Sequence, residues 1–364
     1  MIQQIILPYI KLNSIPKFVN KISFKKYENT TEIYIKKLQT ENVADKLHVS
    51  SENELINSIK RSLCKKYDFD YKWRIFEYIE LLHTNYADNS ECVKNIICIG
   101  KYNNELIYSL NNVLNNSDIN IKTYDTTHSW NDANTDIKSN ENDAGQTDLT
   151  IFDASDTNVL KEKNVEMKSF LLHMPSILLK LKIGGDMIIC LQDSYSLLSQ
   201  DLLFYLNSIF RKVYISRPNI MITSDNHRYI ICKHLSRDIK KDEIQILLLF
   251  FQYFIVALDK ETNVNSSARI FGQDIPMFFK CKVDEINCIY GQQILEYTMM
   301  VVNNKQHELY NYYKIRNNKI ESWLQNHKQY LDVEMEKIYN DQESVLLIRE
   351  TMNEFLDKID KDCN

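Results

Sequence analysis

The sequence predicts an α/β fold: a mostly parallel sheet with helices on both faces, followed by a helical extension. Between 95 and 233, short apolar runs alternate with longer amphipathic ones: NIICIG, ELIYSLNNVL, INIKTYD, DLTIFD, VEMKSFLLHMPSILLKLK, DMIICL, DLLFYLNSIF, KVYIS and RYIICK. Strands apolar at nearly every position need cover on both faces, and strands alternating with helices imply right-handed crossovers. Hydrophobic residues make up 44% of the 364-residue chain, enough for a full core in one large domain with additions or in two.

The elements follow in order. Residues 1–50 mix short β-like runs, QQIILPYI and TEIYIKKL, with polar turns. From Ser51 the pattern turns helical: Leu55, Ile56, Ile59 and Leu63 share one face, with Ser50 or Ser51 as cap. In KWRIFEYIELL, Trp73, Phe76, Ile79, Glu80 and Leu82 mark a second helix. NIICIG and INIKTYD are strands flanking a helix. The Asn/Asp/Ser/Thr-rich run from Thr126 to Gln146 is expected to be a surface loop. DLTIFD is a strand, and Pro175 is expected to kink or divide the helix that follows. Gly184-Gly185 is expected to turn the chain into the strand DMIICL, with a helix and the strands KVYIS and RYIICK after it. Beyond Leu235 the patterning is nearly all helical, and LDVEMEKIYNDQESVLLIRETMNEFLDKI is amphipathic with alternating charges. The boundaries are a β-rich segment at 1–50, an α/β domain at 51–238 and a helical region at 239–364.

Composition excludes some classes. A net charge of −5 argues against a protein that coats nucleic acid over its whole surface, though not against a local basic groove. The eight cysteines form no CxxC pair and no zinc-finger spacing, so a reducing compartment and no structural metal are expected. The start, MIQQIILPYIKLNSIP, lacks a basic n-region, so no signal peptide is expected. The apolar run from Ile246 to Leu258 is too short for a bilayer and contains Gln252, so a buried helix and no membrane contact are expected.

The stretch from 51 to 235 resembles the FtsJ-like RNA ribose 2'-O-methyltransferases. DLTIFD resembles the family's DLVxxDGG run, GGDMIICLQD its GGxxVIKxFD, and RPNIMITSDNHRYIICK its KPxxSRPxNSExYIICK end. Gly184, Gly185, Asp193, Arg217, Pro218, Tyr229 and Lys233 match or nearly match. The flanking helices are similar to those of FtsJ-like proteins of large cytoplasmic DNA viruses.

The family works through a Lys-Asp-Lys-Glu tetrad, in which a lysine near the ribose hydroxyl accepts its proton as the oxygen attacks the methyl of S-adenosylmethionine. The resemblance places Asp153 on the tetrad aspartate, but Glu77, Cys190 and His227 stand at the other three positions. Ala154 and Ser155 replace a glycine pair. The family's glycine turn, where the backbone must approach the methyl donor, falls on Lys101–Glu105, KYNNE. Gly100 and Asp125 are what remains of a cofactor site. The resemblance thus implies a degenerate member: S-adenosylmethionine as the ancestral cofactor, not bound, and no metal. It implies a non-catalytic subunit or scaffold in viral mRNA capping or transcription, or in the virion. Its place would be the host cytoplasm or virion, with a protein partner held through the C-terminal helices. The alternatives are an active RNA cap methyltransferase with a diverged site, and a structural protein without RNA contact.

Each candidate residue also has a plainer use. Asp153 is a turn-former or a retained site residue, and Glu77, on an otherwise apolar helix, needs an ion-pair partner. Cys190 is a packed thiol or, with His227, a nucleophile and base. Lys101 is a solvated turn residue or a phosphate contact. Arg217, Arg228 and Lys233 are surface charges or the lining of an RNA groove. Tyr310, Tyr312, Tyr313 and Trp323 pack helices or stack bases.

Overall fold

The computed structural model describes residues 12–19, 59, 63, 67, 73–115, 118–124, 146–153, 165–191, 194, 196–221, 227–260, 267–271, 275–303 and 306–332. In chain order these form β1 (Leu12–Val19), α1 (Trp73–Tyr86), β2 (Asn95–Gly100), α2 (Asn103–Leu114), β3 (Asn120–Tyr124), β4 (Thr147–Asp153) and α3 (Val165–Lys180). There follow β5 (Leu181–Leu191), α4 (Leu197–Ile209), β6 (Phe210–Ser216), β7 (Arg228–Leu235), α5 (Lys241–Lys260), β8 (Ser267–Phe271), α6 (Met277–Val302) and α7 (Gln306–His327).

Six strands make one sheet in the order β3-β2-β4-β5-β7-β6. The first four are parallel, and β7 runs antiparallel between β5 and β6. This is an open, Rossmann-like sheet, and the apolar runs at 95–100, 147–153 and 186–191 are its central strands. Side chains alternate between two cores. On the first face Ile96, Cys98, Leu149, Ile151, Ile188, Cys190, Tyr229 and Ile231 meet α1, α2 and α7. On the second, Ile97, Ile99, Phe152, Met187, Ile189, Ile230 and Cys232 meet α3, α4 and α5.

Three details depart from the expected pattern. Helix α3 runs continuously through Pro175. The lost hydrogen bond is outweighed by burial of Phe170, Leu171, Met174, Ile177 and Leu178, each at most 2% exposed. Gly184-Gly185 does not precede its strand but lies within β5. The pairing slips there, from Thr147↔Leu181 to Leu149↔Asp186, so β5 bulges. Gly184 takes a φ of +82°, and a Cβ on Gly185 would stand 2.9 Å from the Lys182 carbonyl oxygen. Finally, the region after Leu235 is not purely helical, because β8 pairs antiparallel with β1 and ties it to the N-terminal segment.

The apolar run inside α5 is buried on one face only: Leu247, Phe251 and Phe254, with Ile244 before them, join the second core, while Ile246 and Leu249 are exposed. Among the described residues no helix is long and apolar enough to cross a membrane. Trp323 packs edge-on against Phe76 and stacks on His327, and Tyr312 packs against Tyr297, so these aromatics serve helix packing. Cys92, Cys98, Cys190, Cys232, Cys281 and Cys288 are free thiols. The expected helix from 331 to 359 apart from Leu331 and Asp332, its cap-bearing counterpart at 51–63 apart from Ile59 and Leu63, and the 126–145 loop lie outside the described residues.

Candidate functional site

Ligands of open α/β sheets bind beyond the carboxyl ends of the parallel strands. There Gly100, Asp153, Cys190, Tyr229 and Ser216 stand side by side on five neighbouring strands. Helix α1 crosses this row and turns Arg74, Glu77 and Tyr78 onto it, the i, i+3, i+4 spacing that shares one helix face. The family's tetrad positions therefore do converge, for Glu77, Asp153 and Cys190, but around a residue the motifs did not point to. Arg74 has no exposed surface, and Glu77, Tyr78, Asp153, Cys190 and Tyr229 are each at most 2% exposed.

Arg74 Nη1 donates to Glu77 Oε2 and to the Tyr229 hydroxyl oxygen, both at 2.7 Å, and the Tyr229 hydroxyl donates to Glu77 Oε2 at 2.6 Å. The Tyr78 hydroxyl donates to Asp153 Oδ2 at 2.5 Å, and Arg74 Nε lies 3.9 Å from that oxygen. The guanidinium also faces the rings of Tyr102 and Tyr229 at 5.7 and 5.9 Å. Burial alone would make Arg74 easier to deprotonate, but Tyr229, Glu77 and Asp153 hold its pKa well above the usual value. Burial, then the Asp153 charge, pushes Tyr78 well above the ordinary phenol. Burial does the same for Tyr229, against the pull of Arg74. Both phenols stay protonated as donors, and Arg74 is a fixed cation. The cluster is a buried set of donors and acceptors in which Arg74 Nε alone of the named groups makes no hydrogen bond among the described residues, with a guanidinium that cannot act as a base.

Glu77 thus has the ion-pair partner its position demands, in Arg74. Cys190 and His227 are 1% and 4% exposed, and Cys190 is paired across the sheet with Tyr229, so this thiol is not presented to solvent. Gly100 has a packing reason to be glycine: a Cβ there would lie 2.4 Å from the Asp153 carbonyl oxygen.

The described part of the cofactor cradle does not fit S-adenosylmethionine. Lys101–Glu105 supplies no glycine and passes directly into α2 at Asn103. Tyr102 and Glu105 turn inward, 3% and 1% exposed, with the Tyr102 ring against Arg74. Lys101 is exposed. Asp125, Ala154, Ser155 and Asp193 lie outside the described residues. Among the described residues no group of His, Cys, Asp and Glu is arranged to hold a metal ion.

The three residues expected to line an RNA groove do not share one. Arg228 is 2% exposed on the second face, where its Nη1 donates to Ser194 Oγ at 2.7 Å and its guanidinium lies over Tyr290. Lys233 sits about 17 Å away at the other end of β7. It is on the opposite face, with its ammonium 3.0 Å from Asp186 Oδ2 and over the Tyr86 ring. Arg217, half-buried, follows β6 at the Arg228 end.

Sequence reasoning missed two buried groups. Arg74 left one trace, its i, i+3 spacing from Glu77 on an apolar helix. Glu80 looked like a periodicity marker. Its carboxylate accepts from Asn219 N, Asn219 Nδ2 and Ile220 N at 2.7, 3.0 and 3.1 Å, clamping the turn after β6.

No family model and no curated protein matches the sequence. Among solved structures, a ribosomal RNA methyltransferase from Plasmodium falciparum overlaps 45% of this chain and 97% of its own, at 17% identity and a TM-score of 0.31. Human Methyltransferase-like protein 13, solved in complex with SAH, overlaps 52% of this chain and 91% of its own, at 16% identity and a TM-score of 0.26. A hemolysin from Streptococcus thermophilus overlaps 53% and 78%, at 7% identity and a TM-score of 0.27. At these scores the fold assignment rests on strand order and direction, not on the overlaps.

Proposed function

We propose that this chain is a catalytically silent protein of the methyltransferase fold, a degenerate relative of the FtsJ-like RNA 2'-O-methyltransferases. It acts as a non-catalytic subunit or scaffold. The setting the resemblance favours is the mRNA-capping or transcription machinery, or the virion, of a large DNA virus. One observation carries the silence: the place where the tetrad would converge is filled by Arg74, held by Glu77, Asp153 and Tyr229 with no exposed surface. Proton abstraction from a ribose needs a group able to accept a proton within hydrogen-bond reach of the hydroxyl. Here the cation is permanent, one carboxylate is engaged by Arg74 and Tyr229, and the other by Tyr78.

The partner-facing surface in this reading is the C-terminal region, where Ile246 and Leu249 of α5 and Phe278 and Ile289 of α6 are exposed at 52–65%. The test is methyl transfer. Purified chain incubated with radiolabelled S-adenosylmethionine and capped RNA should leave no label on the RNA. Label on the first transcribed ribose, abolished by Asp153→Ala, would establish the active alternative.

A further inference from the structure

A cleft of about 780 Å³ opens on the sheet from Asp148 and Asp186 at its reverse edge and runs along β6 as far as Ser216, at the end of the row described above. Its floor is the first face of β5, β7 and β6, and α1 closes one side through Asn85 and Tyr86. The volume lies in the range of small-ligand sites.

The cleft exposes Lys182 and Lys212 and buries Asp148, Asp186 and most of Lys233. Asp148 and Asp186 are each 8% exposed. Asp148 accepts from the backbone N–H groups of Lys94 and Asn95, and Asp186 from that of His234. The ammonium of Lys182, paired with Asp148, is 43% exposed at the side chain, and the His234 ring is 56% exposed. Lys212 is exposed and has no carboxylate partner among the described residues. It stands directly across the β6–β7 ladder from Lys233. Like charges directly opposite on a sheet destabilise it; Asp186 already offsets the Lys233 charge, and an anion bound beside Lys212 would offset the charge that is left. Burial, only partly offset by Asp186, holds the Lys233 ammonium below the usual lysine pKa, so an added anion is favoured there too. Two residues along β6 on the same face, Tyr214 is 47% exposed on the cleft wall, beside the apolar Ile231. An exposed ring beside a cationic groove is how proteins hold a base next to its phosphate.

We propose that this reverse-edge cleft binds a nucleotide unit, with phosphate between Lys212 and Lys233 and base against Tyr214. The unit belongs either to a free nucleotide or to an RNA strand. The site is independent of whether the opposite edge is silent.

Fluorescence anisotropy of a short labelled oligoadenylate at low salt, with AMP as competitor, tests it. Lys212→Glu and Tyr214→Ala alter exposed side chains of an edge strand, and unchanged melting temperatures will show that folding is preserved. Each should weaken oligoadenylate binding about tenfold, and Lys212→Glu should also flatten the salt dependence. Lys282→Glu, an exposed change on α6 at the second face of the sheet, should leave binding as it is. Competition by AMP at concentrations near those of oligoadenylate nucleotides identifies a free-nucleotide site, and its absence identifies a strand site. No oligoadenylate or AMP binding, or binding that responds to Lys282→Glu and not to Lys212→Glu or Tyr214→Ala, overturns the proposal.

Discussion

A guanidinium without exposed surface is tolerable only because each of its neighbours is chosen for it. Arg74 lies between Glu77 and Asp153, with Tyr229 as hydrogen-bond partner and two aromatic rings within 6 Å. Removing one member of a buried ion pair leaves the others uncompensated, so Arg74→Ala should lower unfolding stability by about 3–5 kcal/mol in urea titrations. Tyr229→Phe deletes a hydroxyl that links Arg74 to Glu77, and should cost about 1–3 kcal/mol. Acid should also find two weak points. Burial, with the nearby His83, lowers the His327 pKa below its usual 6.5. The unfolded chain then binds the proton more readily, so stability falls as pH drops from 6.5 through the folded pKa. Burial opposes ionisation of Asp148, but hydrogen bonds from Asn95, Lys182 and Lys94 prevail and lower its pKa. Its contribution is present above the unfolded value and disappears as pH falls through the folded one. His327→Phe should flatten the first loss and Asp148→Asn the second, read from melting temperature against pH. At this scale the sequence marked Glu77 as needing a partner and Asp153 as a possible site residue. It could not show Arg74 as that partner, because a helix-borne arginine ordinarily reaches solvent and only the tertiary crossing of α1 over β4, β5 and β7 denies it water.

The elements were the most legible part. Every predicted strand from 95 to 233 is present, because runs such as DLTIFD and DMIICL are apolar at positions of both parities and have no stable use except inside a sheet. Where the prediction slipped, long-range contacts decided. Gly184-Gly185 looked like a turn because glycine pairs usually are; β4 pairs on both sides of them and makes the turn a bulge. Pro175 was expected to kink or divide its helix, and the second core keeps the helix undivided through it. The strand β8 had no signal of its own, since its partner lies more than two hundred residues away at Leu12–Val19. The bulge yields a graded test. Gly184 has a positive φ and open space around its Cβ position, so Gly184→Ala should cost about 1–2 kcal/mol from backbone strain alone. Gly100→Ala should cost more, because the clash with the Asp153 carbonyl requires two paired strands to part.

For the whole molecule, both described cores draw on residues beyond the expected boundary near residue 238. Leu247, Phe251 and Phe254 of α5 complete the second core, and Ile320, Trp323 and Leu324 of α7 complete the first. A chain ending at residue 238 should therefore show no cooperative unfolding transition by circular dichroism. At the carboxyl edge of the sheet Arg74 packs against the Tyr102 ring, and Glu105, just beyond, is buried. The resemblance made the departures at the tetrad positions legible in the sequence but not Arg74 beside them, because a missing lysine says nothing of a cation placed elsewhere.

Isothermal titration calorimetry of the intact chain with S-adenosylmethionine up to millimolar concentration tests this most directly. The filled edge predicts no binding heat beyond dilution. Saturable binding in the micromolar range, lost on Asp153→Ala, would contradict it.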